Sequence, residues 1–348
     1  MKSKMKAQLF YGPKDIRFED IDIPIIGSDE VLVKIKSALT CGSDLKTYKR
    51  GHPTMIKKAS VFGHEWAGDI VEAGCEVNGF KVGDRVAAAN SVPCCNCYYC
   101  KLGRYSLCEN IKYNNGAYAE YIKIPSDILK KNAYKIPDDI DYREAALLEP
   151  LACVVHGIEE SCIKAGDKIA INGAGPIGLM FIAVARLKGA TVISLDLSDE
   201  RLGYARHFGA DYTINVTKVD DQIKAVKSLT EGERGVDVAI DATGIPRIWE
   251  MAILMGRKGA IINLFGGCMP DTSINIDTGL IHYSELTVKG VYHHAPSHVK
   301  QSFDLITSKR IDASNFITAD IPLEKLITAL ELMDQQKGIK YNIVASPL

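Results

Sequence analysis

No stretch of this chain stays apolar long enough to cross a bilayer. Charges such as Lys34, Lys36, Asp69 and Glu72 break every hydrophobic run, and a helical span needs about 20 apolar residues. The opening residues Met1–Lys6 are basic, but no apolar core of a secretion signal follows them. Charge of one sign is lacking too. The 42 Lys+Arg against 43 Asp+Glu leave a net charge of −1, so no bulk field gathers nucleic acid or an anionic membrane. Internal repeats, low-complexity tracts and long linkers are also missing. The expectation is a cytoplasmic protein with no membrane or nucleic-acid partner.

What is present is an ordinary globular mixture, 47% apolar and 24% charged, over 348 residues. That length is long for one core and comfortable for two. Ten cysteines would suit a disulfide scaffold if the chain were short and secreted. Here five of the ten crowd into residues 94–108, and that clustering favours a metal.

Two textures follow one another along the chain. In the first third, Val31–Lys36 alternates apolar and charged residues as a half-buried strand does, and glycines recur at Gly63, Gly68, Gly74, Gly79 and Gly83. Val82–Val86, "VGDRV", reads as a turn feeding a strand. Many short strands between turns predict a barrel-like β domain. From about residue 166, strands are expected at Lys168–Asn172, Thr191–Asp196, Tyr212–Asn215, Val236–Asp241, Ala260–Phe265 and Leu286–Val291. Helices are expected between them, one ending near Leu187, others at Asp199–Phe208 and Asp220–Leu229. This alternation predicts an α/β fold, a doubly wound parallel sheet covered on both faces. The tail from His293 adds a helix near Ser297–Ser308 and closing strands, expected to pack on the N-terminal part. The expected domains are 1–150 with 293–348, carrying a cysteine lobe at 93–109, and 151–292.

Gly173-Ala174-Gly175-Pro176-Ile177-Gly178 follows a predicted strand and opens a helix, the context a dinucleotide fingerprint requires. The first glycine permits the turn, the second lets backbone approach a pyrophosphate, and the third lets helix and strand pack. The phosphates then face a helix N-terminus. Asp196 ends the next strand, where a carboxylate accepts ribose hydroxyls and repels a 2′-phosphate, which favours NAD over NADP. Arg201, one helical turn on, is placed to cover the adenine edge. The alternative is a structural turn in which Asp196 caps the following helix.

Cys94, Cys97, Cys100 and Cys108 follow C-x2-C-x2-C-x7-C. Four thiolates on short loops suit a closed tetrahedral zinc that stabilises and does not catalyse. Free thiols or a nucleic-acid-binding ribbon are the alternatives, though Tyr98, Tyr99 and Lys101 make a thin basic surface. Cys95 reads as a bystander in a tight turn. Cys75, Cys153, Cys162 and Cys268 read as small buried apolar residues. A second donor set is dispersed: Cys41, His64 and Glu65 offer a thiolate, an imidazole and a carboxylate, and Glu149 another carboxylate. Few protein ligands plus a water describe a catalytic zinc. A lone histidine such as His64 is equally at home in a structural role.

"CGSD", "GHEWAG", "VGDRV", the four-cysteine lobe, "LLEPLA" and "GAGPIG" occur in this order over essentially the whole chain. That series resembles the zinc-containing medium-chain dehydrogenases, closest to the polyol branch with its sorbitol, threonine and galactitol-phosphate dehydrogenases. The resemblance implies a GroES-like irregular β-barrel catalytic domain beside a Rossmann domain, two zinc ions (one catalytic, one structural), and a homodimer or homotetramer. It implies Cys41, His64 and Glu65 as the catalytic zinc set, with Glu149 as a direct or water-mediated fourth partner. Gly173, Gly175, Ile177, Gly178, Asp196, Arg201, Phe265 and Val291 match cofactor positions.

The implied reaction moves hydride from a secondary hydroxyl of a small polar polyol or sugar alcohol, in some cases phosphorylated or acidic, to NAD. Ser43, two residues after Cys41, is placed to accept the hydroxyl proton, or else caps a helix. Related enzymes often carry histidine three residues after this serine; here it is Lys46, so Lys46 or water ends the relay. Lys46 also belongs to a basic stretch with Lys49, Arg50, Lys57 and Lys58, which meets a substrate anion or is a solvated face. His293, ahead of His294, is the candidate for bonding substrate hydroxyls, against an ordinary wall or interface pair. The competing readings are a threonine-type amino-alcohol dehydrogenase, a catalytically silent NAD-binding protein and a zinc-free quinone-reductase relative.

Overall fold

The computed structural model describes residues 3–51 and 59–345. Its contacts divide the chain into Met1–Ala152 with His294–Leu348, and Cys153–His293.

The first unit is built on a seven-stranded sheet. Its order is Ala133–Lys135, Arg85–Ala88, Glu65–Ala73, Val31–Leu39, Lys340–Val344 and Ile317–Pro322, with Tyr121–Ile124 beside Val31–Leu39. All neighbours are antiparallel except the last pair, which is parallel. Val31–Leu39 lies at the centre of this sheet, so the expected half-exposed alternation shrinks to Lys34 and Lys36, with Val31, Leu32 and Val33 all buried. Register shifts against Glu65–Ala73 at Leu32/Val33 and Ile35/Ser37 bend the pair, as bulges do. The core beneath is led by Phe62, Trp66, Ile70 and Tyr118. Buried Asn342 fixes the register of the returning strand, its Oδ1 accepting from Ser37 Oγ at 2.7 Å and from the Ala38 amide at 3.2 Å. Leaving those groups unbonded in the interior would cost free energy, so a one-residue slip is disfavoured.

The second unit is a six-stranded parallel sheet. Its order is Tyr212–Asn215, Thr191–Asp196, Lys168–Asn172, Val236–Asp241, Gly256–Leu264 and Thr287–Gly290, the 3-2-1-4-5-6 arrangement of a doubly wound fold. Its strands read as near-continuous apolar runs because both faces are covered: Ile169, Ala170, Ile171, Val192, Ile193, Ala239 and Ile240 are all buried. The helices Leu148–Glu160 and Pro246–Met255 escaped the sequence reading. In the first, Pro150 sits in the first turn, where a missing N–H costs nothing. No helix among the described residues is long and apolar enough to cross a membrane.

Candidate active site

Strand pairing assembles the dispersed donors. Leu39 lies opposite Glu65 in the antiparallel register, so Cys41, just past one strand end, faces His64, just before the other. Gly63 makes the approach possible: its φ is +91°, and a Cβ there would meet the Tyr118 ring at 2.7 Å. Cys41 also precedes the helix Gly42–Arg50, with its amide donating to Asp44 Oδ2 at 2.9 Å. The ligand atoms of Cys41, His64 and Glu65 all lie within 4.8 Å of one another.

Three groups hold this trio from behind. Asp44, fully buried, sets Oδ1 3.3 Å from His64 Nδ1 and accepts the Tyr118 hydroxyl on Oδ2 at 2.5 Å. Lys340, 1% exposed, donates to the Thr40 carbonyl at 2.6 Å and to Glu65 Oε1 at 2.9 Å, with Glu65 Oε2 at 2.7 Å. Burial works against the Lys340 ammonium, but Glu65, Cys41 and Asp44 together raise its pKa. Burial likewise opposes the Cys41 thiolate, but the hydrogen bond and charge of His64, aided by Lys340, bring the thiol down to about 7. None of Asp44, Tyr118 and Lys340 was singled out in the sequence. The one available signal was Lys340 itself, a lone charge opening the apolar strand Lys340–Val344.

This donor chemistry fits a zinc ion. A thiol already inclined to ionise, an imidazole oriented by a carboxylate and a second carboxylate are its usual ligands, and three of them leave a fourth position open. Ser43 Oγ is buried and has no hydrogen-bond partner, an orphan that a substrate hydroxyl would satisfy. Glu149, also buried, is not one of the clustered three. Its Oε1 lies 3.7 Å from His294 Nε2. Lys46 is exposed on the helix Gly42–Arg50, and Lys57 and Lys58 lie outside the described residues. His293 adopts φ +62°, and its carbonyl accepts from His156 Nδ1 at 2.8 Å.

The four lobe cysteines converge as closely, with all sulfurs within 4.8 Å. The amides of Asn96 and Cys97 point at Cys94 Sγ at 3.4 and 3.3 Å and bring that thiol down to about 6, while burial pushes Cys100 up to about 12. Four sulfurs with no fifth donor match a closed site. Cys95 turns aside with φ +59°. The reading of Cys75, Cys153, Cys162 and Cys268 as buried is corrected: Cys153 and Cys268 are half-buried, and the other two are exposed, Cys75 in the turn after Glu65–Ala73 and Cys162 at φ +49° just past the helix Leu148–Glu160.

In the second unit, Gly173 has φ +96°, and a Cβ on Gly178 would stand 1.8 Å from the Gly173 carbonyl oxygen. Both positions therefore demand glycine. Gly175 faces open space, with nothing nearer to its Cβ position than Arg201 Nη1 at 4.0 Å, and it starts the helix Pro176–Leu187 without a side-chain cap. That leaves helix N–H groups for an anion. Asp196 accepts the Ala174 amide at 2.8 Å and the Ser198 amide at 2.9 Å, one on each oxygen. The helix cap falls to Ser198, so Asp196 keeps acceptor capacity for a ribose. Arg201 Nε is buried with no hydrogen-bond partner. Ile177 is half-buried, Val291 buried, and Phe265 packs edge-on to Phe181. The glycine turn, the open Gly175 and the strand-end carboxylate together fit a dinucleotide.

Residues 27–138 match the model of the alcohol dehydrogenase GroES-like domain, and residues 176–308 that of the zinc-binding dehydrogenase. The chain is 34% identical to a sorbitol dehydrogenase of Bacillus subtilis, covering 99% of this chain and 97% of that one. It is 33% identical to an L-threonine 3-dehydrogenase of Bacillus velezensis, covering 100% and 99%. A solved zinc-binding dehydrogenase of Sinorhizobium meliloti bound to NADP superposes with a TM-score of 0.90 at 29% identity, covering 99% and 100%.

Proposed function

Because the chain belongs to the zinc-containing medium-chain dehydrogenases, in their polyol branch, and is an oxidoreductase of that kind, we propose that it oxidises a secondary hydroxyl of a small polyol or sugar alcohol with NAD. The observation that carries this is the convergence of Cys41, His64 and Glu65 beside a buried, unpartnered Ser43 hydroxyl. A zinc ion bound there supplies Lewis acidity, lowering the pKa of a coordinated hydroxyl.

The chain's own residues do the rest. Cys41, His64 and Glu65 orient the reacting centre, with Asp44 and Tyr118 fixing the imidazole. Ser43 Oγ accepts the hydroxyl proton as it gives its own to water, which takes it outward; Lys46, exposed on the same helix, can take that place only in its uncharged form. Glu149 serves as a direct or water-mediated fourth partner of the ion, and His293 bonds substrate hydroxyls. Asp196 selects NAD by holding ribose hydroxyls, and Gly173, Gly175 and Gly178 admit the pyrophosphate, with Ile177, Arg201, Phe265 and Val291 as further cofactor contacts. A homodimer or homotetramer in the cytoplasm completes the proposal.

The test is NADH formation with a panel of sugar alcohols, inositols, their phosphates, aldonic acids and threonine, repeated with NADP. Turnover of a polyol with NAD supports the reading. Turnover of threonine alone replaces it with the amino-alcohol activity of the Bacillus velezensis relative, and silence towards every alcohol with either coenzyme overturns it.

A further inference from the structure

Lys340 stands out among the charged residues. It is 1% exposed and ranks among the largest fully buried side chains, in the company of Trp66, Tyr118 and Phe62. A buried ammonium is costly unless charge and hydrogen bonds answer it. Here the answer comes chiefly from the donor set and the backbone beside it. Its Nζ reaches both oxygens of Glu65, at 2.9 and 2.7 Å, and the carbonyl of Thr40, the residue before Cys41. The Thr40 backbone is further stitched to Tyr341, its amide donating to the Tyr341 carbonyl at 3.0 Å and its Oγ1 accepting the Tyr341 amide at 3.0 Å. One side chain thus ties the two donor-bearing segments together and contests one of the three donors.

The contrast with the lobe shows what such a contest does. Four sulfurs close a tetrahedron, and a closed tetrahedron has no place for a substrate. In the dispersed set, Cys41 and Glu65 bring negative charge with His64 between them, and every uncompensated charge tightens the grip on a cation and weakens its pull on a further ligand. We propose that Lys340 is a positioning residue that shares the Glu65 carboxylate, keeping the Cys41–His64–Glu65 site open and its metal less tightly held than that of the lobe. The inference rests on the reading of these three residues as metal donors.

The test uses the zinc-loaded full chain as wild type, Lys340→Met, Lys340→Arg, Glu65→Gln and the Glu65→Gln/Lys340→Met pair. Each is dialysed against graded chelator, and cobalt-exchanged samples are read by visible absorption. Wild type should carry two zinc ions and lose one first. Lys340→Met should hold that ion on the order of tenfold more tightly, shift the cobalt bands, and lower kcat more than it changes KM. Lys340→Arg, which keeps the charge, should restore the wild-type retention and spectrum. In the Glu65→Gln background, Lys340→Met should change neither. Unchanged or weaker retention in folded Lys340→Met overturns the proposal, as does an equal effect without Glu65. If Lys340→Met does not fold, Lys340→Gln takes its place, and the same outcomes decide. A wild type that binds only the lobe zinc would sink the donor reading itself, a distinguishable result.

Discussion

Between Cys94 and Cys108 four sulfurs gather within fifteen residues, whereas Cys41, His64 and Glu65 meet only because two strands pair and a third returns to lock them. The lobe's support is local: backbone amides of Asn96 and Cys97 aimed at one sulfur, and the Cys94 amide donating to Cys108 Sγ at 3.2 Å. The dispersed set is held by side chains, Asp44, Tyr118 and Lys340, all in the interior. A site made of one loop keeps its geometry with little help from the rest of the fold and has no room for chemistry. A site made of distant segments depends on the whole core and retains an open flank.

That contrast breaks most sharply at Cys41. Replacing Cys41 with Ala should lower kcat/KM by about a thousandfold or more, leave circular dichroism unchanged and drop the zinc content from two to one. Retained activity would show that catalysis does not use this set. Cys100→Ala should act in the opposite sense. We expect the melting temperature to fall by about 5 °C or more as the lobe loses its metal, with turnover at low temperature within about threefold of wild type. Asp44→Asn sharpens the difference in support, since it should weaken metal retention at the dispersed set by about 10–100-fold and leave the lobe untouched, as chelator competition would read. The smallest effect belongs to Cys95→Ala. Stability should stay within about 0.5 kcal/mol and both metals should remain, because Cys95 is not among the four clustered sulfurs and its thiol donates to the Pro93 carbonyl at 3.6 Å; loss of zinc there would redraw the ligand set.

The same contrast explains what the sequence revealed. Local devices were legible: the cysteine spacing, the glycine turn whose atoms leave no space for a Cβ at Gly178, and the parallel strands, several with their bounds. Lys168–Asn172, Thr191–Asp196 and Val236–Asp241 coincide with observed strands because continuous apolar runs between turns have few other solutions. Asp44, Tyr118 and Lys340 stayed hidden because their roles exist only after tertiary pairing, and nothing in their immediate neighbours announces it. The helix Leu148–Glu160, by contrast, has one face more apolar than the other and a proline that its first turn tolerates, so its pattern was there to be read. Cys75 and Cys162 were misplaced because a cysteine's usual burial is a tendency of the residue type, overridden here by turns.

The Lys340–Thr40 contact joins positions 300 apart in sequence. A chain made from its N-terminus therefore cannot close the contact around Glu65 until residue 340 exists. The four lobe cysteines, by contrast, are all in place by residue 108.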